Sequence, residues 1–338
     1  METVLVTGAT GFIASHLILN LLDKGYQVRG TARSAEKAER LKKILSDYAG
    51  KPVEIPIIAA DLGSDDGWAE AVEGCTYVQH VASPFPATVP KHPDELIIPA
   101  RDGALRVLKA AKAAGVKRVV MTSSFAAIGY GWGDNRPNPL TEAHWSNPDD
   151  LEDNTPYARS KTIAERAAWD YVEGEGKGLE LAVINPVGVF GPAMSEDVST
   201  SLQIVSQPLE GKLPAYPKIC FGIIDVRDVA EAHARAMTLP EAAGERFLLS
   251  DKVMWMEEMG QVLREAYPDR KVPKGTLPNW LVRAASWFNP PLKQILPELG
   301  HDRQVSNEKL KRVLGITPIP AEDAIRASAD SLIRLGVV

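Results

Sequence analysis

The sequence TVLVTGATGFIA, from Thr3 to Ala14, decides the fold of this chain. Its first five residues are mostly apolar or β-branched, which is typical of a buried strand, and the residues from Phe12 onward follow the apolar period of a helix. Gly8 permits a tight turn, Gly11 lets a pyrophosphate approach the backbone, and the small Ala14 lets the helix pack closely on the strand. The stretch predicts a strand, a phosphate-binding turn and a helix with unpaired N-terminal N–H groups. Because its spacing is Gly-x2-Gly-x2-Ala rather than the common Gly-x-Gly-x2-Gly, an ordinary strand-to-helix turn is the alternative.

Strand and helix patterns alternate through the first half of the chain. We expect strands over residues 3–7, 27–31, 53–59, 77–82, 118–122 and 180–184. We expect helices over residues 12–22, 36–48, 65–72, 94–114 and 157–171. Such alternation implies right-handed crossovers and a parallel sheet with helices on both faces. The prediction is an α/β fold with a doubly wound sheet, and a cofactor would lie across the carboxyl ends of its strands.

A basic residue follows the second strand. An NAD site has Asp or Glu at this place to bind the ribose hydroxyls, whereas this chain has Arg33. A guanidinium suits a 2′-phosphate, and Lys37, one helical turn later, adds a second positive charge. NADP(H) is therefore favoured over NAD(H). We expect the basic residues that follow to lie on a solvated helix face, paired with Glu36 and Glu39: Arg40, Lys42 and Lys43.

Tyr157 and Lys161 are four residues apart in a helical pattern, so their side chains share one face. An ammonium beside a tyrosine stabilises phenolate relative to phenol, which prepares the hydroxyl for proton transfer near neutral pH. The same spacing occurs by chance on solvated helices. The pair gains its weight from the glycine-rich turn that precedes it in the chain.

Composition excludes several classes of function. The chain has 338 residues, which suggests two domains, and a formal net charge of −6, which argues against nucleic acid or an anionic membrane as partner. No run approaches the ~20 apolar residues of a membrane span, and Met1 is followed at once by a strand, so we expect a cytoplasmic protein. The cysteines, Cys75 and Cys220, and the six scattered histidines lack metal-ligand spacing. We therefore expect reduced thiols and no metal site.

The order of the motifs resembles that of the extended short-chain dehydrogenases/reductases. The residues that carry the likeness are Thr7–Ala14, Asp61-Leu62, Val81–Pro84, Thr122-Ser123-Ser124 and Tyr157-x3-Lys161. Within that family the chain resembles the branch that holds dihydroflavonol 4-reductase and the yeast methylglyoxal/isovaleraldehyde reductase, through Ala14 and the stretches His80–Phe85, Asn185–Pro192 and Ile224–Ala230. The likeness covers most of the chain. It implies a Rossmann-type fold and an NADPH-dependent oxidoreductase that reduces aldehydes and ketones.

The resemblance also implies two lobes. Residues 1–190, with about 218–250 returning to the sheet, would form the NADP-binding Rossmann domain. Residues of about 191–217 and 251–338, which are rich in proline, would form a smaller and mainly helical substrate lobe. We expect four aromatic residues in the core of that lobe: Trp255, Trp280, Trp287 and Phe288.

Cofactor contacts are carried over from the family residue by residue. They are Gly8, Thr10, Gly11, Phe12, Ile13, Arg33, Lys37, Asp61, Leu62, Val81, Ala82, Ser83, Thr122, Tyr157, Lys161, Pro186, Val189 and Ser201. Asp61-Leu62 would lie where adenine docks. A helix N-cap is an equal alternative for Asp61.

By the same resemblance, Tyr157 is the proton donor, Lys161 also holds the nicotinamide ribose, and Ser124 orients the carbonyl of the substrate. Ser123 would face the other way, because adjacent strand residues point to opposite sides. The chain departs from many relatives in having no Asn on the helix before the serine strand. We expect water or Asp102 to take the place of that residue.

The substrate pocket would be built from Phe85, Phe125, Ile128, Tyr130 and Val187, with Trp132 and Trp145 near its mouth or packed beside it. Such walls suit hydrophobic aldehydes and ketones better than sugars. We expect a monomer or a homodimer. Two other functions stay open: an NAD-dependent nucleotide-sugar epimerase or dehydratase, which would carry an acidic residue at Arg33 and usually Arg-Pro at Asn185-Pro186, and a non-catalytic dinucleotide sensor. Cinnamoyl-CoA reductases are a nearer comparison, but their Asn-Trp-Tyr-Cys-Tyr stretch has no counterpart here.

Overall fold

The fold comes from a computed structural model and is described for residues 2–84, 92–288 and 290–338. The strands in these ranges are β1 (Thr3–Val6), β2 (Gln27–Ala32), β3 (Ile57–Ala59), β4 (Tyr77–His80), β5 (Arg118–Thr122), β6 (Glu180–Pro186), β7 (Gly188–Phe190), β8 (Tyr216–Pro217), β9 (Cys220–Asp225), β10 (Arg246–Leu249), β11 (Lys252–Trp255) and β12 (Thr276–Leu277). Seven of them form a parallel sheet in the order β10-β6-β5-β4-β1-β2-β3. This is the doubly wound, Rossmann-type α/β fold that the alternating pattern predicts.

The helices are α1 (Phe12–Asp23), α2 (Ala35–Ala49), α3 (Trp68–Val72), α4 (Asp94–Ala113), α5 (Pro156–Glu173), α6 (Thr200–Leu209), α7 (Val226–Thr238), α8 (Met256–Ala266), α9 (Asn279–Ala285), α10 (Glu308–Val313) and α11 (Ala321–Arg334). Short 3-10 turns span Phe125–Ala127, Gly133–Asn135, Pro240–Ala242 and Pro290–Glu298. None of the helices in the described ranges is long and apolar enough to cross a membrane.

Helices cover the large sheet on both faces. On one face, α1, α2 and α7 bury Leu17, Leu45 and Val229 against the strands. On the other face, α3, α4 and α5 bury Trp68 and Val107 together with their neighbours. The strands read as continuous apolar runs because both of their faces are removed from water.

A smaller set of elements follows β6. Strand β9 pairs in parallel with β7 and antiparallel with β11, which makes a second sheet in the order β11-β9-β7. Helices α6, α8 and α11 pack around it through a separate core that contains Phe190, Tyr216, Leu263 and Ile325. Of the stretch expected to return to the large sheet, β10 joins it beside β6, whereas β9 belongs to the second sheet.

The expected aromatic core of the smaller lobe is wrong for three of its four members. Trp280, Trp287 and Phe288 are 69%, 79% and 88% exposed. The apparent helical spacing is broken, because α9 ends at Ala285 and Trp287 and Phe288 lie in the turn beyond it. Within α9 it is Val282 that is buried. Trp255 is half-buried at the end of β11, and the ammonium of Lys218 lies 5.6 Å from its ring centroid.

Candidate active site

The turn between β1 and α1 has the shape that a close ligand needs. Gly8 has a φ of +61°, which L side chains rarely adopt, and a Cβ there would lie 3.0 Å from the Cα and Cβ atoms of Ala82. Gly11 is the N-cap of α1 and has no side chain with which to bond the first N–H groups. The start of α1, including Phe12 and Ile13, therefore offers backbone donors and the positive end of a helix dipole.

The basic residues after β2 border the same region. Arg33 and Lys37 are exposed, and Lys37 lines a cleft together with Thr10 and Phe12. Arg40 lines this cleft as well and pairs across it with Asp197 at 3.1 Å, so its expected pairing on a solvated face is wrong. Lys42 pairs on the helix surface with the expected Glu39 at 3.0 Å. Lys43 pairs with Asp47 at 2.6 Å, so its expected pairing with Glu36 or Glu39 is wrong. Helix α2 thus directs Lys37 and Arg40 at the cleft.

Asp61 and Leu62 follow β3. The Asp61 carboxylate accepts the N–H of Gly63 at 2.7 Å, so it caps a turn. It does not cap a helix, because α3 begins at Trp68 with Gly67 as its N-cap. Leu62 packs under α4, where a Cβ on Gly103 would lie 2.9 Å from Leu62 Cβ. The turn is therefore a fixed feature at the carboxyl end of β3.

The remaining predicted cofactor residues lie mainly at the carboxyl ends of neighbouring strands. Val81, Ala82 and Ser83 follow β4, Thr122 ends β5, and Pro186 ends β6. The other two lie beyond the sheet: Val189 is in β7, and Ser201 is in the first turn of α6, whose Leu202 borders the cleft. Because parallel strands end at one edge of a sheet, most of the predicted contacts are brought to that edge.

Tyr157 lies in the first turn of α5. Thr155 caps this helix by accepting the N–H of Ala158 at 3.1 Å, and Pro156 occupies its first position. Lys161, one turn later, is 8% exposed, and its Nζ lies 5.8 Å from the centroid of the Tyr157 ring. The ammonium therefore lies on the same face of α5 as the Tyr157 ring, one helical turn away.

Ser123 and Ser124 follow β5 and point in different directions. Ser123 is buried, and its hydroxyl donates to the carboxylate of Glu165 at 2.5 Å. Ser124 is half-buried, and its Oγ accepts the N–H of Ala126 at 3.1 Å at the start of a 3-10 turn. Helix α5 packs against this turn, and the hydroxyl of Thr162 faces the carbonyl of Ala126 at 3.5 Å. The alternation of strand residues thus leaves Ser124 as the serine on the open side.

Lys161 Nζ donates a hydrogen bond to Ser83 Oγ at 3.0 Å. Asp102, one of the two groups expected in place of the missing Asn, instead accepts from Arg101 at 2.7 Å. Ser83 is three residues beyond the end of β4, so its hydroxyl joins the cofactor edge of the sheet to α5. The sequence does not predict this hydrogen bond between Ser83 and Lys161.

Two histidines are buried beneath this edge. Burial, and then the charge of Lys161, lower the pKa of His80 to about 3, and its Nδ1 bonds Thr7 Oγ1 at 3.0 Å. Burial lowers the pKa of His233 to about 3 as well, and its Nε2 bonds Thr122 Oγ1 at 2.8 Å. Both imidazoles are therefore neutral near pH 7 and hold the strand ends without adding charge to the site.

The expected substrate residues differ in their surroundings. Phe85 lies outside the described residues. Phe125 and Tyr130 meet edge to face at 5.9 Å, and Gly129 allows this because a Cβ there would lie 2.2 Å from the Phe125 ring. Ile128 is fully buried in a small cluster with Leu140 and Leu248 that Phe125 and Val187 border, so it supports these walls from behind.

Charged residues from the smaller lobe lie against Tyr130. The guanidinium of Arg303 lies 4.3 Å from the centroid of the Tyr130 ring and donates to Asp153 at 3.0 Å. Burial, and then the carboxylate of Glu298, raise the pKa of the Tyr130 phenol well above its ordinary value. Asp153 also accepts from Arg136 at 2.7 Å. The expected pocket contains no arginine or carboxylate, whereas the structure adds both behind Tyr130.

Comparison with known proteins agrees with this geometry. The model of the NAD dependent epimerase/dehydratase family matches residues 4–249. Cinnamoyl-CoA reductase 1 of Petunia hybrida is 35% identical over 331 residues, or 95% of each chain, and a putative NADPH-dependent methylglyoxal reductase of Candida albicans is 35% identical over 351 residues, or 98% of each. The crystal structure of yeast methylglyoxal/isovaleraldehyde reductase complexed with NADPH superposes with a TM-score of 0.82 at 30% identity and covers all of both chains. With the matched region running from β1 to β10, the chain is a member of the NAD dependent epimerase/dehydratase family, whose members include these reductases.

Proposed function

We propose that this protein is an NADPH-dependent reductase of aldehydes and ketones. The observation that carries the proposal is the placement of Tyr157 and Lys161 on one face of α5, with Lys161 bonded to Ser83 at the cofactor edge of the sheet. This arrangement supports Tyr157 as a proton donor beside the edge where a dinucleotide binds in such folds. Relatives named as reductases that align over nearly the whole chain support it.

The residues present fit NADPH. The turn at Gly8 and Gly11 leaves no side chain between the backbone and a pyrophosphate, and the first N–H groups of α1 suit its negative charge. Arg33 and Lys37 are exposed at the adenosine side, where two positive charges match a 2′-phosphate. We propose the contacts predicted from the sequence, with Arg40 added because it lines the cleft beside Lys37.

NADPH, when bound, supplies the hydride that reduces the carbonyl carbon. The residues of the chain do the rest. Ser124 would hold the carbonyl oxygen through its hydroxyl, and Tyr157 would give that oxygen a proton as negative charge develops on it. Lys161, held by Ser83, stabilises the phenolate that Tyr157 becomes. The buried His80 and His233 are neutral and add no positive charge to that of this ammonium.

The substrate side of the site is apolar close to the serine and polar farther away. Phe125 and Val187 would contact a hydrophobic group on the carbonyl, while Tyr130 would present a phenol fixed by Arg303 and Glu298. Such a pocket suits small hydrophobic aldehydes and ketones with room for one polar atom at the far end. The proposed substrate lobe comprises residues of about 191–217 and 251–338.

We also propose a cytoplasmic monomer or homodimer. Cys75 and Cys220 are both buried free thiols, which suits a reducing compartment. The formal charge of −6 favours solubility over association with anionic surfaces.

Replacing the proton donor tests the proposed reaction. Tyr157→Phe keeps the ring but removes the proton, so NADPH oxidation with a reactive aldehyde should fall by at least about 100-fold while NADPH binding persists. Lys161→Ala should weaken both turnover and NADPH binding. Tyr171→Phe is the matched control, because it makes the same change near the other end of α5. Turnover by Tyr157→Phe close to that of the wild type would reject Tyr157 as the proton donor.

The family model includes epimerases, and Arg33 favours the proposed NADPH-dependent reductase over an NAD-dependent epimerase. An enzyme that retains NAD would need an acidic residue to accept hydrogen bonds from the ribose hydroxyls, and Arg33 cannot accept them. Tightly bound NAD in the purified protein, with turnover of nucleotide-sugars alone, would favour the epimerase. Cofactor binding without turnover of any carbonyl would favour a sensor.

A further inference from the structure

Glu165 is a completely buried carboxylate four residues beyond Lys161 on α5. Its Oε2 accepts the hydroxyl of Ser123 at 2.5 Å and the side-chain amide of Asn185 at 2.7 Å. Its Oε1 accepts Nε of Arg246 at 2.5 Å. A carboxylate removed from water persists only where donors of this kind replace its hydration. The catalytic face of α5 is thereby tied to the ends of three strands, β5, β6 and β10.

Asn185 extends this network to the backbone of the candidate catalytic serine. Its side-chain amide donates to Glu165 and also to the carbonyl oxygen of Ser124, at 3.1 Å. Asn185 is completely buried near the end of β6. One amide therefore joins a side chain of α5 to the backbone of Ser124, and the bond from Ser123 to Glu165 holds the preceding residue. The position of Ser124 depends on the same helix that carries Tyr157.

Arg246 neutralises the buried carboxylate and anchors the network on its other side. Its Nη1 donates to the carbonyls of Glu142 and His144 at 2.8 and 2.9 Å. Its guanidinium also lies 3.7 Å from the centroid of the Trp145 ring. Buried ion pairs seldom stabilise a fold more than apolar residues of the same volume do. An ion pair beneath the serine is therefore better explained by fixed geometry than by stability alone.

We propose that Glu165 is a positioning residue for carbonyl reduction, which acts through Asn185 to fix Ser124 relative to Tyr157. The inference rests on the reductase function proposed above. The hydroxyls of Ser124 and Tyr157 must both reach one carbonyl oxygen, and a displacement of about 1 Å at a reacting group can lower the rate on the order of 100-fold. A network of buried hydrogen bonds supplies that precision.

The test compares two ways of cutting the network with one matched control. Glu165→Gln keeps the size of the side chain but removes its charge and one set of acceptors. Asn185→Ala keeps the ion pair of Glu165 with Arg246 but removes the link to Ser124. Glu180→Gln is the control, because Glu180 pairs with the buried Arg118 at 2.7 Å at the opposite, amino end of β5 and β6. Folding is checked by circular dichroism and NADPH affinity by fluorescence titration.

We expect kcat for an aldehyde to fall by about 10- to 100-fold in Glu165→Gln and in Asn185→Ala. The NADPH Kd and the substrate KM should stay within about twofold, because both side chains are completely buried. Glu180→Gln should keep the wild-type kcat. If Glu165→Gln does not fold, Asn185→Ala alone decides the question.

Two results would overturn the inference while leaving the reductase function intact: wild-type kcat in Asn185→Ala, or an equal loss of kcat in Glu180→Gln. If no carbonyl compound supported NADPH oxidation by the wild-type protein, the proposed function would fail, and the inference with it.

Discussion

The ammonium of Lys161 donates a hydrogen bond to the hydroxyl of Ser83, whereas the carboxylate of Asp102 accepts one from Arg101. The resemblance to the family predicts water or Asp102 in place of an Asn on α4. Here the third partner of the Tyr157 and Lys161 pair comes from the loop after β4 instead of from α4. Ser83 is thus suited to orient the ammonium by accepting its hydrogen bond.

Removing the Ser83 hydroxyl should slow the reaction. A hydrogen bond to a charged group is worth about 1.5–3 kcal/mol, so Ser83→Ala is expected to lower kcat by about tenfold or more. Asp102→Asn is the control and should leave kcat unchanged. A loss confined to Asp102→Asn would show that the relay runs through α4.

Cofactor choice is expected to depend on the two exposed cations after β2. Arg33→Ala should weaken binding of NADPH more than binding of NADH, by about 10- to 100-fold, because charge-assisted contacts to the 2′-phosphate are worth about 1.5–3 kcal/mol. Lys43→Ala is the matched control on α2, since Lys43 pairs with Asp47 on the helix surface. Dissociation constants from fluorescence titration measure the effect. Equal affinity of the wild-type protein for NADPH and NADH would contradict the prediction.

The sequence predicts those parts of the fold and site whose motifs lie within a short stretch of the chain. The glycine turn, Arg33 and the Tyr157 and Lys161 pair lie in short motifs that carry their own geometry, and six strands of the large sheet follow from apolar runs. The second sheet does not, because β9 resembles a strand of the main sheet and only its pairing with β7 and β11 distinguishes it.

Contacts between distant segments were likewise missed. Arg303 and Tyr130 are far apart in the chain, and nothing in the sequence near either residue indicates their contact. Glu165 is different, because its spacing of four residues from Lys161 places it on the catalytic face of α5. That spacing was a usable signal, but the burial of the carboxylate depends on Arg246 from β10.

Acid should destabilise the fold through its buried histidines. Burial lowers the pKa of His16 to about 4 and the pKa values of His80 and His233 to about 3, against 6.5 in the unfolded chain. The unfolded state therefore binds more protons below pH 6.5, and each imidazole removes about 1.4 kcal/mol of stability per pH unit as the pH falls toward its folded pKa. Asp228 opposes this, because burial raises its pKa to about 6 and its protonation favours the folded state between about pH 6 and 4.

The three histidines destabilise the fold as the pH falls, and Asp228 stabilises it. The net loss of folding free energy is about 3 kcal/mol per pH unit between about pH 6 and pH 4. Urea unfolding at pH 7 and pH 5 measures it. His233→Asn should be less stable at pH 7 but show a smaller pH slope than the wild-type protein. Stability that was constant between pH 7 and pH 5 would be incompatible with neutral buried imidazoles.

Substrate preference should follow apolar burial against Phe125 and Val187. Each additional buried methylene is worth about 0.8 kcal/mol, so kcat/KM should rise about fourfold per carbon along a series of aliphatic aldehydes. The rise should end where the chain reaches Tyr130, because its phenol is held by the buried Arg303 and Glu298 and is costly to displace. Phe125→Ala should flatten the series by removing the apolar wall, with the shortest aldehyde as the internal reference. A flat or falling trend in the wild-type enzyme, or strong turnover of nucleotide-sugars alone, would reject a hydrophobic carbonyl as the substrate.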